Sequence, residues 1–208
     1  TNLQRGKSVD STAVPNGYNL LNKSSIAQFG WDNVASNTSD LDNIDGNDET
    51  IGGVNHTKEI VQIGAGNNAN NQSHRAGSAA NGLNASILQV GIRNDADNLQ
   101  ARGIGNSAEI SQFGALNQAT NLQSGVNSDN KSASILQIGT RNEGENTQRG
   151  GSSNEANIAQ FGNRNVGTNS QANGSSNEAA IAQFGNRNVG TNSQANGSSN
   201  EAAIAQFG

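Results

Sequence analysis

The chain has 208 residues, a formal net charge of −5, no Cys and no Met, and only 3% aromatic and 14% charged residues. Asn (36), Gln (16) and Gly (26) together make up more than a third of it. This excludes disulfides and thiolate metal sites, a conventional hydrophobic core of this length, a basic nucleic-acid-binding surface and disorder driven by charge repulsion. No window approaches the roughly 20 apolar residues of a membrane helix. Weakly charged chains rich in Asn and Gln are candidates for β-aggregation, and their first test is internal repetition.

Residues 1–7 carry Asn2 and Gln4 two positions apart. That spacing predicts the second half of a repeat. Residues 8–21 follow, around Val14-Pro15-Asn16-Gly17-Tyr18. Pro cannot donate to a strand ladder and Pro-Asn-Gly is turn chemistry, so this stretch reads as an irregular insertion.

From residue 22 a frame recurs, counted from one glutamine per repeat: Gln28, Gln62, Gln89, Gln112, Gln137, Gln160, Gln183 and Gln206. The steps are 34, 27, 23, 25, 23, 23 and 23 residues. Two places before each stands Ile26, Ile60, Ile87, Ile110, Ile135, Ile158, Ile181 or Ile204. Two places after is always Gly. Five places after stands Asn33, Asn67, Asn94, Asn117, Asn142, Asn165 or Asn188. Seven places after is Ala or Gly. Nine places after stands Asn37, Asn71, Asn98, Asn121, Asn146, Asn169 or Asn192. Eleven places after is Gln100, Gln123, Gln148, Gln171 or Gln194, with Ser39 and Ser73 in the first two copies.

A second insertion, at 40–55, carries Asp40, Asp42, Asp45, Asp48 and Glu49. The spacing does not fit an EF-hand loop, and a solvated acidic loop is the preferred reading over a Ca²⁺ site. Regularity is greatest at the other end. Residues 154–176 and 177–199 differ only at Asn157 and Ala180, and residues 200–208 are the first half of a further copy.

The offsets decide the local structure. Positions −4, −2 and 0 share one parity, and +5, +7, +9 and +11 share the other. Each set has the period of a strand, not of a helix. Gly at +2 and the residues after it make the turn between them, and Asn and Gly before the next Ile make a second turn. The prediction is all-β: one β-solenoid of stacked strand-turn-strand repeats with two facing parallel sheets. Seven repeats occupy 22–199. Equal repeats stack identical side chains about 4.8 Å apart. Stacked amides then donate and accept along the column, so buried Asn and Gln are satisfied. The Gln and Asn positions above are the candidate ladder and assembly residues, and the eight Ile are the candidate apolar core.

The pattern Gln-x-Gly-x-x-Asn-x-Ala-x-x-x-Gln, preceded by alternating Ala-x-Ile, resembles the curlin repeat of bacterial curli fibres. Residues 89–100 (QVGIRNDADNLQ) and 112–123 (QFGALNQATNLQ) match it at every defined position, and the likeness runs over about 22–208. The resemblance implies a secreted subunit that polymerises into an extracellular cross-β amyloid fibre of a biofilm matrix. In that family the ladder residues drive assembly. It implies as partners a second copy of the chain, a nucleator subunit, a periplasmic chaperone and an outer-membrane secretion pore. It implies no cofactor. Gly144, Gly167 and Gly190 depart from the family's Ala at +7, and Asn often stands six places before the first Gln where the family commonly has Ser.

Neither end of the stack carries the polar cap of a soluble solenoid, and open strand edges template pairing. The reading is therefore head-to-tail stacking, in which residues 200–208 meet residues 1–7 of the next copy. The alternatives are a minor nucleator of the same fibre and a non-polymerising adhesin or ligand-binding solenoid. The residue after each ladder Gln is large and apolar and by alternation points outward. Phe29, Phe113, Phe161, Phe184 and Phe207 are thus candidates for a lateral interface. Glu155, Glu178 and Glu201, and Arg164 and Arg187, recur one repeat apart and are expected at solvated edges or turns. His56 and His74 are the only histidines, and no Ser sits in a nucleophile-elbow context. No catalytic or metal-binding role is predicted.

Overall fold

A computed structural model of the chain describes residues 3–4, 23–40, 56–74, 82–125 and 128–208. The insertion at 8–21, and that at 40–55 beyond Asp40, lie outside the described residues. Its regular elements are all strands, in two sheets that are parallel except for one terminal pair.

The first sheet has nine strands: β1 (Leu3–Gln4), β2 (Lys23–Trp31), β4 (Thr57–Ala65), β6 (Asn84–Ile92), β8 (Ser107–Ala115), β10 (Ser132–Thr140), β12 (Glu155–Asn163), β14 (Glu178–Asn186) and β16 (Glu201–Phe207), in that spatial order. The second has seven, again neighbours in turn: β3 (Val34–Asp40), β5 (Asn68–His74), β7 (Asp95–Ala101), β9 (Gln118–Ser124), β11 (Glu143–Arg149), β13 (Val166–Ala172) and β15 (Val189–Ala195). The chain crosses from one sheet to the other at every turn, so consecutive strands face each other and alternate strands pair. This is a β-solenoid.

Pairing is in register by repeat position. Ile135 lies beside Ile110 and Ile158, and Gln137 beside Gln112 and Gln160. In the second sheet Asn146 lies between Asn121 and Asn169. Any one-residue slip would turn every inward amide out.

The turns explain why the strands change parity. The residue at +4 is left-handed: Asp32 (φ 55°), Arg93 (54°), Leu116 (59°), Arg141 (57°), Arg164 (59°) and Arg187 (61°). The following Asn pins this strained corner. Asn94 Nδ2 donates to Gly114 O (3.0 Å), and both its backbone N and its Nδ2 reach Asn67 Oδ1 (3.0 and 3.2 Å). One Asn thereby joins three rungs at the turn.

The apolar core is thin. Ile60, Ile87, Ile110, Ile135, Ile158 and Ile181 are buried against Ala69, Ala96 and Ala119, while Ile26 and Ile204 at the two ends are half-covered.

Of residues 1–7, expected as a possible half-repeat, Leu3 and Gln4 are described. As β1 they lie antiparallel on β2 in the first sheet, Leu3 opposite Phe29 and Gln4 opposite Gln28. The reason is the edge itself. The outer side of β2 offers backbone donors and acceptors that a nearby segment satisfies in either direction.

Candidate assembly site: amide ladders and open edges

Four amide columns run through the interior. In the column at position 0, each Gln Nε2 donates to the Oε1 of the next Gln. The bonds run Gln28 to Gln62 (2.7 Å), Gln62 to Gln89 (2.8), Gln89 to Gln112 (2.8), Gln112 to Gln137 (2.9), Gln137 to Gln160 (2.8), Gln160 to Gln183 (2.9) and Gln183 to Gln206 (2.8). From Gln62 on, the second N–H of each amide goes to a backbone carbonyl of the facing sheet, as from Gln137 to Gln118 O (2.8 Å). That backbone bond sets which end of the amide is nitrogen, and so the direction of the column.

The column at +11 runs the same way, from Gln100 through Gln123, Gln148 and Gln171 to Gln194, at 2.9–3.0 Å. The Asn column at +9 runs the opposite way. Asn71 donates to Asn37, Asn98 to Asn71, Asn121 to Asn98, Asn146 to Asn121, Asn169 to Asn146 and Asn192 to Asn169, all at 3.0–3.1 Å. The +5 column, from Asn33 to Asn188, also donates backward, at 3.1–3.2 Å. Most of these amides are fully buried; at the two ends Asn33, Asn188 and Gln206 are half-buried. Without stacking, each would cost its full desolvation penalty. With it, the buried amides are the structural frame.

The +11 column has a defect that explains itself. Gln100 Oε1 is buried without a partner because the preceding rung has Ser73 there, too short to reach it; Ser73 Oγ is unpartnered as well. On the same rung Lys58 stands in the −4 column, where every later repeat has Ala. Lys58 is 2% exposed, and its Nζ donates to Thr38 O.

Sequence reasoning missed three buried cations or bases. His56 and Lys131 occupy position −6, where later repeats have Asn106, Asn154, Asn177 and Asn200. Parity was the available signal: −6 is even and faces inward like −4 and −2. This column closes the second turn. Lys131 N donates to Asn106 Oδ1 (2.9 Å), Asn177 N to Asn154 Oδ1 (3.0) and Asn200 N to Asn177 Oδ1 (3.1). Lys131 Nζ donates to Ser124 O (3.0 Å) and Gln148 O (3.1). His56 Nδ1 accepts from Leu83 N (3.2 Å).

Burial sets their protonation. It lowers Lys58 from 10.5 to about 7 and Lys131 from 10.5 to about 8, against the pull of Asp129. His56 falls from 6.5 to about 4 through burial and then the charge of Lys58. On the outer face of the second sheet, burial and then Asp95 raise the Asp97 carboxyl.

In each basic case the folded state holds the proton less tightly than the unfolded chain, so stability rises with pH across the window between the two values. For His56 that window is about 4 to 6.5, and for Lys58 about 7 to 10.5. Lys58→Met keeps the length and removes the charge. Hydrogen exchange of the β4 amides should slow with rising pH, after correction for the intrinsic rate, in the wild type. In the variant the gain above about pH 7 is expected to flatten. An unchanged slope would mean that the ammonium is hydrated.

Outside the stack, the apolar +1 column forms a surface stripe. The rings of Phe161, Phe184 and Phe207 stack at 5.0 and 5.1 Å with interplanar angles of 2° and 5°. Phe29 and Phe184 are exposed and Phe207 is 77% exposed, while Phe113 and Phe161 are half-buried. Glu155, Glu178 and Glu201 are exposed at strand starts, and Arg164 and Arg187 at the turn. Among the described residues no group of His, Asp or Glu could hold a metal ion, and no helix is long and apolar enough to cross a membrane.

Two sheets closed around stacked amide columns define the class: a β-solenoid of stacked strand-turn-strand repeats. The family model of the curlin associated repeat matches residues 151–185 and 174–208. The matched residues are similar to curlin repeats, and the position-0 Gln column continues strand by strand from them back to β2. No curated protein matches the chain. The curlin repeat is a structural repeat rather than an enzyme family.

Proposed function

We propose that this chain is a secreted structural subunit that stacks head to tail into an extracellular, curli-type cross-β fibre of a biofilm matrix. The observation that carries the reading is the opposed direction of the Gln and Asn columns. At the C-terminal face the Gln columns end on donors: Gln194 Nε2 bonds Glu178 O (2.8 Å) and Gln206 Nε2 bonds Val189 O (2.7 Å), with no following glutamine. The Asn columns end there on the Asn188 and Asn192 carbonyls. At the N-terminal face the order is reversed, with the Gln28 carbonyl beside the Asn33 and Asn37 amino groups. Each face is the complement of the other and not of itself. A head-to-tail contact sets Gln206 Nε2 against the Gln28 carbonyl and keeps every column in one direction, whereas a head-to-head contact sets like ends together.

The other parts of the reading come from the curlin resemblance. A nucleator subunit would present a first template, and a periplasmic chaperone and an outer-membrane pore would carry the chain outward. The Phe161, Phe184 and Phe207 stripe is the surface for lateral contact between fibres, since an apolar stripe of this length on a solvent face favours association.

Purified chain incubated in dilute buffer should form fibres with a 4.7–4.8 Å meridional reflection. Replacing Phe161, Phe184 and Phe207 with Ser should leave single fibres that no longer bundle, seen by electron microscopy. A chain that stays monomeric in the presence of preformed seeds would refute the fibre reading. Bundles that persist in the triple variant would refute the stripe.

A further inference from the structure

The short strand β1 is in the wrong sheet for its sequence. Asn2-Leu3-Gln4 repeats Asn98-Leu99-Gln100 of β7 and Asn121-Leu122-Gln123 of β9. In those strands Asn and Gln supply the +9 and +11 columns of the second sheet, at 3.0 Å from the next rung. Yet β1 pairs with β2 of the first sheet, antiparallel. No other pair in the described residues is antiparallel.

Two consequences follow at the two faces. β1 covers Gln28 and Phe29, the centre of the β2 edge that a second copy would need. At the opposite face the first sheet reaches one strand further than the second: β16 pairs with β14, and β15 has no outer neighbour among the described residues. That leaves a place beside β15 for a strand with Asn and Gln two residues apart.

We propose that β1 is an exchangeable clip. In the monomer it covers the β2 edge. In the fibre it leaves that edge and adds, parallel, to β15 of the neighbouring copy, with Asn2 next to Asn192, Leu3 next to Ser193 and Gln4 next to Gln194. The move frees β2 to pair with β16 of the same neighbour. Parallel strand addition of this kind supplies main-chain hydrogen bonds, and the amide columns supply register. The connection between Gln4 and Lys23 has 18 residues, long enough at about 3.3 Å per residue to reach either site. Covering one edge in the monomer also delays self-pairing, which an open edge invites. The proposal rests on the fibre reading above and assigns the contact that makes its junction.

The chain has no Cys, so engineered disulfides report without background. Residues directly opposite in an antiparallel pair lie within disulfide reach. Leu3→Cys with Phe29→Cys should close within one chain when the monomer is oxidised. The oxidised form should elongate seeds at least tenfold more slowly than the same chain after reduction. Leu3→Cys with Ser193→Cys should instead join different chains, and only in fibres, giving a ladder of multimers on a non-reducing gel.

Failure of the first pair to close in the monomer would overturn the clip. So would equal elongation of its oxidised and reduced forms, or fibres of the second pair that give no interchain disulfide. If wild-type chain forms no fibre even with seeds, the fibre reading itself fails, and the clip with it.

Discussion

Gly162→Ala is expected to break the stack at its centre. Gly162 has φ +118°, and a Cβ placed there would lie 1.9 Å from Gly185 O of the next rung. The backbone conformation alone costs about 1–3 kcal/mol for a residue with a side chain. The clash adds to this, because the obstacle is backbone held by the neighbouring strand. A loss of at least about 3 kcal/mol is expected, enough to separate β12 from β14 locally. Protection of the β12 and β14 amides from hydrogen exchange would show it, and seeded elongation should stop.

Gly167→Ala is the control. Gly167 lies at +7, where Ala69, Ala96 and Ala119 are the natural residues, and its added Cβ would meet only side-chain atoms, at 3.2 Å and beyond. Its cost should stay under about 1 kcal/mol. If the two variants behaved alike, the tight contact at +2 would not be what orders the turn.

Gln137→Leu is the second large effect. Gln137 accepts from Gln112, donates to Gln160 and donates to Gln118 O. Leucine is close in size, so little cavity forms. The loss is in the partners: one N–H of Gln112 Nε2 and the Gln160 Oε1 are left buried without a partner. Each such orphan costs about 1–3 kcal/mol, so about 2–6 kcal/mol is expected. Gln112 keeps its bond to Asp95 O and softens the loss. The same change at the end of the column, Gln206→Leu, should cost the monomer no more than about 1 kcal/mol, because Gln206 is half-buried and water replaces its partners. Chemical denaturation of the two variants compares them directly. Equal costs would mean that position in the column does not matter, and that the ladder is a set of independent bonds.

These variants test what made the fold legible. The parity of the offsets placed Gln137, Asn146 and Ile135 on the inside and Phe161 on the outside before any coordinates. Two-residue periodicity has only one geometric meaning when it recurs at fixed offsets in many copies. Reading failed where a residue broke the repeat's chemistry without breaking its parity. Lys58 and His56 keep the inward parity, although a charged or ionisable side chain normally stays in water. They are buried with backbone groups in reach, Thr38 O for Lys58 and Leu83 N for His56. The Asn at −6 stands out in the sequence as a departure from Ser, but its role as acceptor of the next rung's backbone N–H depends on the stacking.

What the amino-acid sequence determined by itself is the identity of each rung: two strands, two turns, and the residues that face in. Spacing suffices for that because side-chain direction in a strand follows from counting. Only the tertiary structure decided how the rungs continue one another. The directions of the columns, Gln donating forward and Asn backward, depend on which backbone carbonyl each amide meets across the core. The place of β1 depends on which edge stands open near it, since backbone hydrogen bonding is indifferent to sequence. Asn2 and Gln4 have the spacing of a second-sheet strand, and in the monomer the nearest unpaired edge belongs to the first.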